Sequence, residues 1–290
     1  MPETPFVAAT FNMRRRSIAE ALSGQVWSKR APVCAAFLQK VRDASDARYR
    51  RGEALAPLGI LAVQEAEPAQ VDVAEKALGP NWTRVAYGLN IDLLVNTSLF
   101  EIVHDSVVRL DMKSGARQRH AVFARLESRA TGDVGLFGVT HLAAKTLTEP
   151  RPETYRPQQM RAIAGKLAQL RTGYGAPLET VLFGDFNDPE LYAGVRKIAR
   201  ANGLLPIEDR LTADQIKGEG YECHHGYKVS DRPKDPPTDA HPAGEITWIC
   251  DALTKSVKLT RALLYRTDRT VYPKGACPSD HNLIEIEGTY

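Results

Sequence analysis

The sequence predicts a single α/β domain rich in antiparallel strands with a few amphipathic helices, and three observations carry the prediction. Short apolar runs of strand character recur along most of the chain. Several in the middle follow one another too closely for a crossover helix, which suits antiparallel hairpins. A few longer segments instead repeat their apolar residues every three or four positions, the stripe of an amphipathic helix. With 290 residues, 43% apolar and 25% charged, the chain can bury a sizeable core. Lacking an internal repeat or a linker, residues 1–290 read as one domain. The net charge of +3 permits an anionic substrate but falls short of the dense Lys/Arg patches of tight nucleic-acid binders.

Taken in order, Phe6 to Phe11 reads as a strand with Asn12 just past it. Arg14-Arg15-Arg16 follows, either a solvated loop or a phosphate contact. Ala31 to Ala44 has helical spacing, with Pro32 at an early, tolerated position. Leu58 to Val63 is a buried strand that ends at Gln64-Glu65, and Gln70 to Leu78 is a short helix stopped by Gly79-Pro80. Thr83 to Ala86, Asp92 to Asn96, Glu101 to Leu110 and Ala121 to Leu126 form the closely spaced strands. Val134 to Val139 empties into Thr140-His141-Leu142. Gln158 to Leu170 places Met160, Ile163, Ala164, Leu167 and Leu170 on one helical stripe. Val181 to Phe183 is a strand that runs out into Gly184-Asp185-Phe186-Asn187-Asp188, and Glu190 to Ala201 is a helix closed by Asn202-Gly203. From about 207 to 244 periodicity is lost, and this reads as a long surface loop inserted in the domain. Strands resume at Ile246 to Ile249 and Val257 to Tyr265, and Pro278-Ser279-Asp280-His281 leads into a last alternating strand.

Cys34, Cys223, Cys250 and Cys277 show no paired spacing, which fits a reduced compartment. Met-Pro-Glu-Thr-Pro at the start has no basic n-region and no apolar run approaches a membrane span, so a cytoplasmic monomer without membrane contact is expected.

The chemistry gathers where strands end. Asp185 and Asn187 are two apart on extended chain, so a carboxylate and an amide reach one rim, a setting for a divalent metal and a phosphate. Each such signal has a plain structural alternative: an acid after a strand is commonly a solvated terminus, and Gly-Asp-Phe-Asn can be a turn. Yet Asn12, Glu65, His141, Asp185, Asn187, Asp280 and His281 all fall at strand ends.

The series Thr10-Phe11-Asn12, Trp27-Ser28-Lys29-Arg30, Gln64-Glu65, Arg119-His120-Ala121, Thr140-His141-Leu142, Gly184-Asp185-Phe186-Asn187 and Ser279-Asp280-His281 resembles the endonuclease/exonuclease/phosphatase superfamily over nearly the whole chain, with Trp27 and Arg30 read as packing the first helix rather than touching substrate. The resemblance implies a four-layer sandwich, two mixed, mostly antiparallel sheets flanked by helices, with the active site at one rim. It implies a phosphoesterase that uses Mg²⁺ or Mn²⁺ and direct attack by water, most naturally a nuclease acting on nucleic acid. The alternatives are a phosphatase or phosphodiesterase acting on a small phosphorylated metabolite, or a non-catalytic phosphate-binding module. By the same resemblance Glu65 is the main metal ligand, helped by Asn12 and Asp280. His281 is the general base, Asp185 orients the water, and Asn187 and His141 contact the phosphate. Arg119 supports these residues or binds substrate.

One position departs from the pattern. Where the family carries an aspartate that orients the base histidine, this chain has Thr247, which offers a hydrogen bond but no negative charge. Another acid such as Glu245 or Asp251 substitutes for it, the enzyme is slower, or the site binds phosphate without cleaving it. Arg14 stands where some relatives place an acid, which argues against a second metal. Cys223 and His224-His225 lack a partner pair at zinc-finger spacing, so substrate contact or plain surface explains them better.

Overall fold

Alternation along the strands sorts the apolar residues into three buried clusters, and those clusters separate four layers. The computed structural model describes residues 3–15, 25–86, 89–144, 151–172, 177–187, 194–205, 207, 210–212, 215–217, 250–254, 257–267, 271–272, 276–279 and 281–290. One sheet contains β1 (Pro5–Asn12), β2 (Leu58–Gln64), β3 (Trp82–Arg84), β4 (Ile91–Asn96), β11 (Ile216–Lys217), β13 (Lys258–Tyr265) and β14 (Leu283–Thr289), in the order β11-β13-β14-β1-β2-β4-β3. The other contains β5 (Phe100–Ile102), β6 (Val108–Ser114), β7 (Arg117–Ser128), β8 (Val134–His141), β9 (Thr180–Asp185), β10 (Leu204–Leu205) and β12 (Cys250–Thr254). Its order is β10-β12-β9-β8-β7-β5, with β6 also paired to β7.

Residues one apart on a strand face opposite sides. Phe6 and Ala8 therefore join Val122, Ala124, Phe137, Val181 and Phe183 between the sheets. Val7, Ala9 and Phe11 pack outward with α1 (Trp27–Arg50) and α2 (Pro68–Leu78). On the second sheet Phe123, Leu136 and Leu182 pack outward with α3 (Pro152–Arg171) and α4 (Val195–Ala201). The order helix, sheet, sheet, helix is the four-layer sandwich that the sequence implies.

Both sheets are mixed, and among the described residues two of the three parallel pairs, β11 with β13 being the third, position the site. β1 pairs with β2 in parallel, as β8 does with β9, whereas β1 meets β14 antiparallel. A parallel pair needs a crossover, and the two long helices α1 and α3 lie within those two connections. The registers bring Asn12 level with Gln64, and His141 level with Asp185. Thus the carboxyl ends of four strands finish side by side in pairs. Gly184 makes one of these junctions possible: a Cβ there would sit 2.8 Å from Thr140 Cγ2 and 3.0 Å from its carbonyl oxygen.

Several element boundaries differ from the sequence expectation. The first helix starts at Trp27 rather than Ala31, so Pro32 lies inside it, and α3 runs through Pro157 instead of starting after it. The expected strand from Glu101 to Leu110 is two strands, because Asp105 takes a left-handed φ of 55° and turns the chain between β5 and β6. The segment from 207 does not begin as a surface loop. Ile207 and Leu211 are buried between the sheets, and β11 adds a strand beside β13. Residues 218–249, with Cys223, His224, His225, His241, Thr247 and Trp248, lie outside the described residues. No helix among the described residues is long and apolar enough to cross a membrane.

A buried acid sits close to the site edge of β4. Asp92 is 3% exposed and accepts hydrogen bonds from the amides of Ala86 and Leu93 at 2.9 and 2.8 Å. Burial outweighs those bonds and the Arg84 charge and pushes its pKa up to about 7. A carboxyl raised above its unfolded value of 3.8 favours folding while protonated, so its contribution is complete below about pH 4 and is lost as pH rises through about 7. Asp92→Asn keeps an acceptor oxygen for both amides without a titrating proton. Urea unfolding across pH 4–8 should show the variant gaining stability relative to the native chain by about 1–3 kcal/mol toward pH 8. A constant difference would remove Asp92 as the source of that dependence.

Candidate active site

The rim where the four strands finish holds three groups able to share a cation. A carboxylate oxygen of Glu65, one of Asp185 and a ring nitrogen of His281 lie within 4.8 Å of one another. Glu65 follows β2, Asp185 ends β9, and His281 precedes β14, so both sheets contribute. His141 ends β8, and its Nε2 stands 4.0 Å from Glu65 Oε1 and 3.9 Å from Asp185 Oδ2. Those separations are too long for hydrogen bonds. His141 Nε2 is buried and has no hydrogen-bond partner among the described residues. A buried polar atom in that state is uncommon and points into space meant for a polar occupant.

Hard oxygen donors beside an imidazole suit a small divalent cation such as Mg²⁺ or Mn²⁺. A spread of up to 4.8 Å exceeds what direct ligands on opposite sides of Mg²⁺ span at about 2.1 Å each, so some of these groups would act through water. The residues present fit such an ion with Glu65 as its most accessible carboxylate, its side chain 23% exposed against 2% for Asp185.

Asn12 joins the two sheets across this rim. Its Nδ2 donates to Asp185 Oδ2 at 2.9 Å and to Glu65 Oε1 at 3.3 Å, while its Oδ1 accepts the Arg14 amide at 2.9 Å. The Arg15 amide donates to the other Glu65 oxygen at 3.1 Å. Asn12 as placed therefore holds the carboxylates, and its own oxygen is taken by backbone. Asn187 is tethered in turn: its Nδ2 donates to the Leu142 carbonyl at 3.1 Å and its amide to Asp185 Oδ1 at 3.1 Å. One amide hydrogen of Asn187 remains for a ligand.

Arg30 ties the amino-terminal side of the rim to the segment that carries His281. It is fully buried on α1 and donates to the carbonyls of Met13, Arg14 and Pro278. Beyond Pro278, the Ser279 hydroxyl donates to the Asn12 carbonyl at 2.6 Å and accepts the His281 amide at 3.2 Å. Thr267 then holds the His281 carbonyl at 2.6 Å. The backbone here is strained as well. Four non-glycine residues among those described have positive φ, and three of them, Arg14, Glu65 and Asn187, surround the site. Such conformations cost about 1–3 kcal/mol each and collect where function over-determines geometry.

Burial disfavours charge on the two innermost groups. It holds His141 below the usual imidazole range, aided by the nearby Arg119 charge and opposed by Asp185 and Glu65. Burial also raises the Asp185 carboxyl, against the lowering effects of His141 and of the bonds from Asn12 and Asn187. A neutral His141 can donate from one ring nitrogen and accept at the other. A divalent cation beside Asp185 would favour the carboxylate and reverse the second effect.

Next to His141 opens a cleft of about 290 Å³ lined by Arg15, Arg117, Arg119, His120 and Asn90. Arg117 and Arg119 are two apart on β7 and so share a strand face. Of the residues singled out from sequence, the structure thus brings together Asn12, Glu65, His141, Asp185, Asn187 and His281, and puts Arg119 in the adjoining cleft. Asp280, Glu245 and the side chain of Asp251 lie outside the described residues. Arg30, Arg15, Arg117 and Ser279 were not read as site residues. Their parts depend on long-range contacts that strand-end spacing does not reveal, although Arg15 belongs to a basic run already open to a phosphate reading.

No family model matches the sequence, and no curated protein is similar to it at the sequence level. Solved structures are similar in fold. An endonuclease/exonuclease/phosphatase family protein from Bacteroides thetaiotaomicron superposes with a TM-score of 0.72 at 16% identity, covering 100% of this chain and 99% of that one. A mannosyl-6-phosphatase of the same species gives 0.71 at 16% identity, over 98% and 100% of the two chains. The human Nocturnin catalytic domain with bound sulfate gives 0.65 at 17% identity, over 99% and 94%. The chain has the fold of the endonuclease/exonuclease/phosphatase superfamily, the one its strand-end motifs resemble.

Because Arg30 satisfies three buried carbonyls, Arg30→Met should lower unfolding free energy by about 2–5 kcal/mol in urea titrations. Arg30→Lys should recover only part, since an ammonium cannot reproduce the planar fork. Full recovery by lysine would mean that charge alone matters there.

Proposed function

We propose that the protein hydrolyses phosphoesters with Mg²⁺ or Mn²⁺ by direct attack of water, working as a cytoplasmic monomer. The observation that carries this reading is the convergence of Glu65, Asp185 and His281 donor atoms within 4.8 Å, beside the unpartnered Nε2 of His141. Glu65 would be the chief holder of the cation, with Asp280 assisting and Asn12 aligning the carboxylates. When bound, the cation neutralises charge on the phosphoryl oxygens and makes a nearby water more acidic.

The remaining work falls to the side chains. His281 removes a proton from the attacking water, and Asp185 orients that water toward phosphorus. Asn187 donates its remaining amide hydrogen to a phosphoryl oxygen. His141, held neutral by burial, donates from Nε2 toward the phosphate or the departing oxygen. The 23% exposed Glu65 side chain keeps the rim open enough for substrate to enter.

Among substrates the sequence favours nucleic acid, whereas the cleft favours a compact phosphoester. A volume of about 290 Å³ lies at the lower end of small-molecule sites, and three arginines line it. Relatives in fold span both classes, since one is a mannosyl-6-phosphatase and a zebrafish TDP2 is complexed with a single-strand DNA product. A small phosphorylated metabolite is therefore the first reading and nuclease action the second.

Release of phosphate or nitrophenol from p-nitrophenyl phosphate, bis-(p-nitrophenyl) phosphate and small sugar phosphates, with plasmid DNA as a parallel substrate, tests these readings. Turnover should require Mg²⁺ or Mn²⁺ and stop on chelation. Glu65→Gln, Asp185→Asn and His281→Ala should each lower kcat by about 10²-fold or more. No turnover of any substrate by the native chain would favour the phosphate-binding module. Plasmid nicking lost in His281→Ala, with sugar phosphates untouched, would favour the nuclease.

A further inference from the structure

The arginine cleft has more positive charge than one phosphoryl group at the metal-binding rim requires. Its lining draws Arg15 from the turn after β1, and Arg117 and Arg119 from the start of β7. The two segments are distant in sequence and meet beside His141. Among the described residues, the carboxylates of Glu67 and Asp111 touch the cleft's basic groups. Glu67 receives Arg15 Nε at 3.3 Å, and Asp111 receives His120 Nδ1 at 2.8 Å. Asp111 is also shared with Arg109 at 2.5 Å. The Arg15 side chain is 55% exposed, leaving its guanidinium within reach of a ligand.

We propose that this cleft is a second anion subsite, taking a phosphate or carboxylate from the same small molecule whose scissile phosphate sits among Glu65, Asp185 and His281. The inference rests on the phosphoesterase reading and narrows it to substrates with two anionic groups on one compact scaffold. Arginine suits the task because its planar fork meets phosphate or carboxylate oxygens two at a time. His141 connects the two places: it lines the cleft and its Nε2 faces both carboxylates of the rim from about 4 Å. The cleft volume of about 290 Å³ suits a sugar-sized scaffold. Two anionic groups held at once also fix the phosphorus relative to the water, an advantage of orientation that a single anchor lacks.

Calorimetric titration with Ca²⁺ in place of Mg²⁺, to hold the scissile phosphate at the rim, compares glucose 1,6-bisphosphate with glucose 6-phosphate on the native chain, on Arg15→Gln/Arg117→Gln and on Arg117→Lys. The native chain should bind the bisphosphate about 10-fold more tightly or better, and the double variant should lose most of that ratio. Arg117→Lys should fall between them, and the native preference should shrink as salt rises. A native ratio near one, or a ratio unchanged in the double variant, would overturn the subsite. So would tighter binding of a short oligothymidylate than of the bisphosphate. Phosphate release with Mg²⁺ is scored separately: a binding preference without turnover sinks the catalytic reading and leaves the subsite, whereas turnover without a preference does the reverse.

Discussion

Asn12 is the hinge pin of the rim. One amide nitrogen reaches Glu65 at the end of one sheet and Asp185 at the end of the other, while the amide oxygen is fixed by the Arg14 backbone. Two carboxylates facing one another repel, and both are partly or wholly removed from water. A neutral donor between them offsets that repulsion without neutralising either, which leaves their charge for a cation. Loss of this bridge would let the sheets hold their packing but not the spacing of their carboxylates.

That bridge works because the strands deliver it to the same level. The parallel pairs β1/β2 and β8/β9 each finish in register, and the long helices between their strands supply the crossovers that parallel pairing demands. Arg30 then gathers three carbonyls from two separate segments and fixes the approach of His281. Strain at Arg14, Glu65 and Asn187 marks the same place. Packing, crossovers and backbone strain thus serve one set of distances.

Much of this was legible in the sequence, for identifiable reasons. Glu65, His141, Asp185 and Asn187 stand directly after apolar runs, so a period-two reading puts them at strand ends without any knowledge of which strands pair. The four layers were implied by the family resemblance, and the alternating strands and helical stripes agree with them without requiring them. The arginines were less legible. Arg30 reads as packing the first helix, and the structure sets its guanidinium 5.4 Å from the Trp27 ring, but its carbonyl partners are set by tertiary approach. Arg117 and Arg15 gain meaning only when β7 and the turn after β1 meet. Positive φ at Glu65 carries no sequence signal, because glutamate is not a residue that announces a left-handed turn. The break at Asp105 and the buried Ile207 failed for a different reason: short strands and a buried loop start look alike when neighbours are unknown.

The pairing of β14 with β1 has a consequence for how the molecule is made. The strand that ends in Asn12 is flanked by β2 and by the strand from Leu283 to Thr289, and the backbone of Thr4 exchanges both hydrogen bonds with that of Tyr290. Without Leu283 to Thr289 one edge of β1 is left unpaired. The sheet holding Glu65 closes only when that strand, which His281 immediately precedes, has docked. Docking of that strand and placement of the His281 ring beside the carboxylates of Glu65 and Asp185 are therefore one event in folding, so the two sheets cannot carry a partly assembled rim.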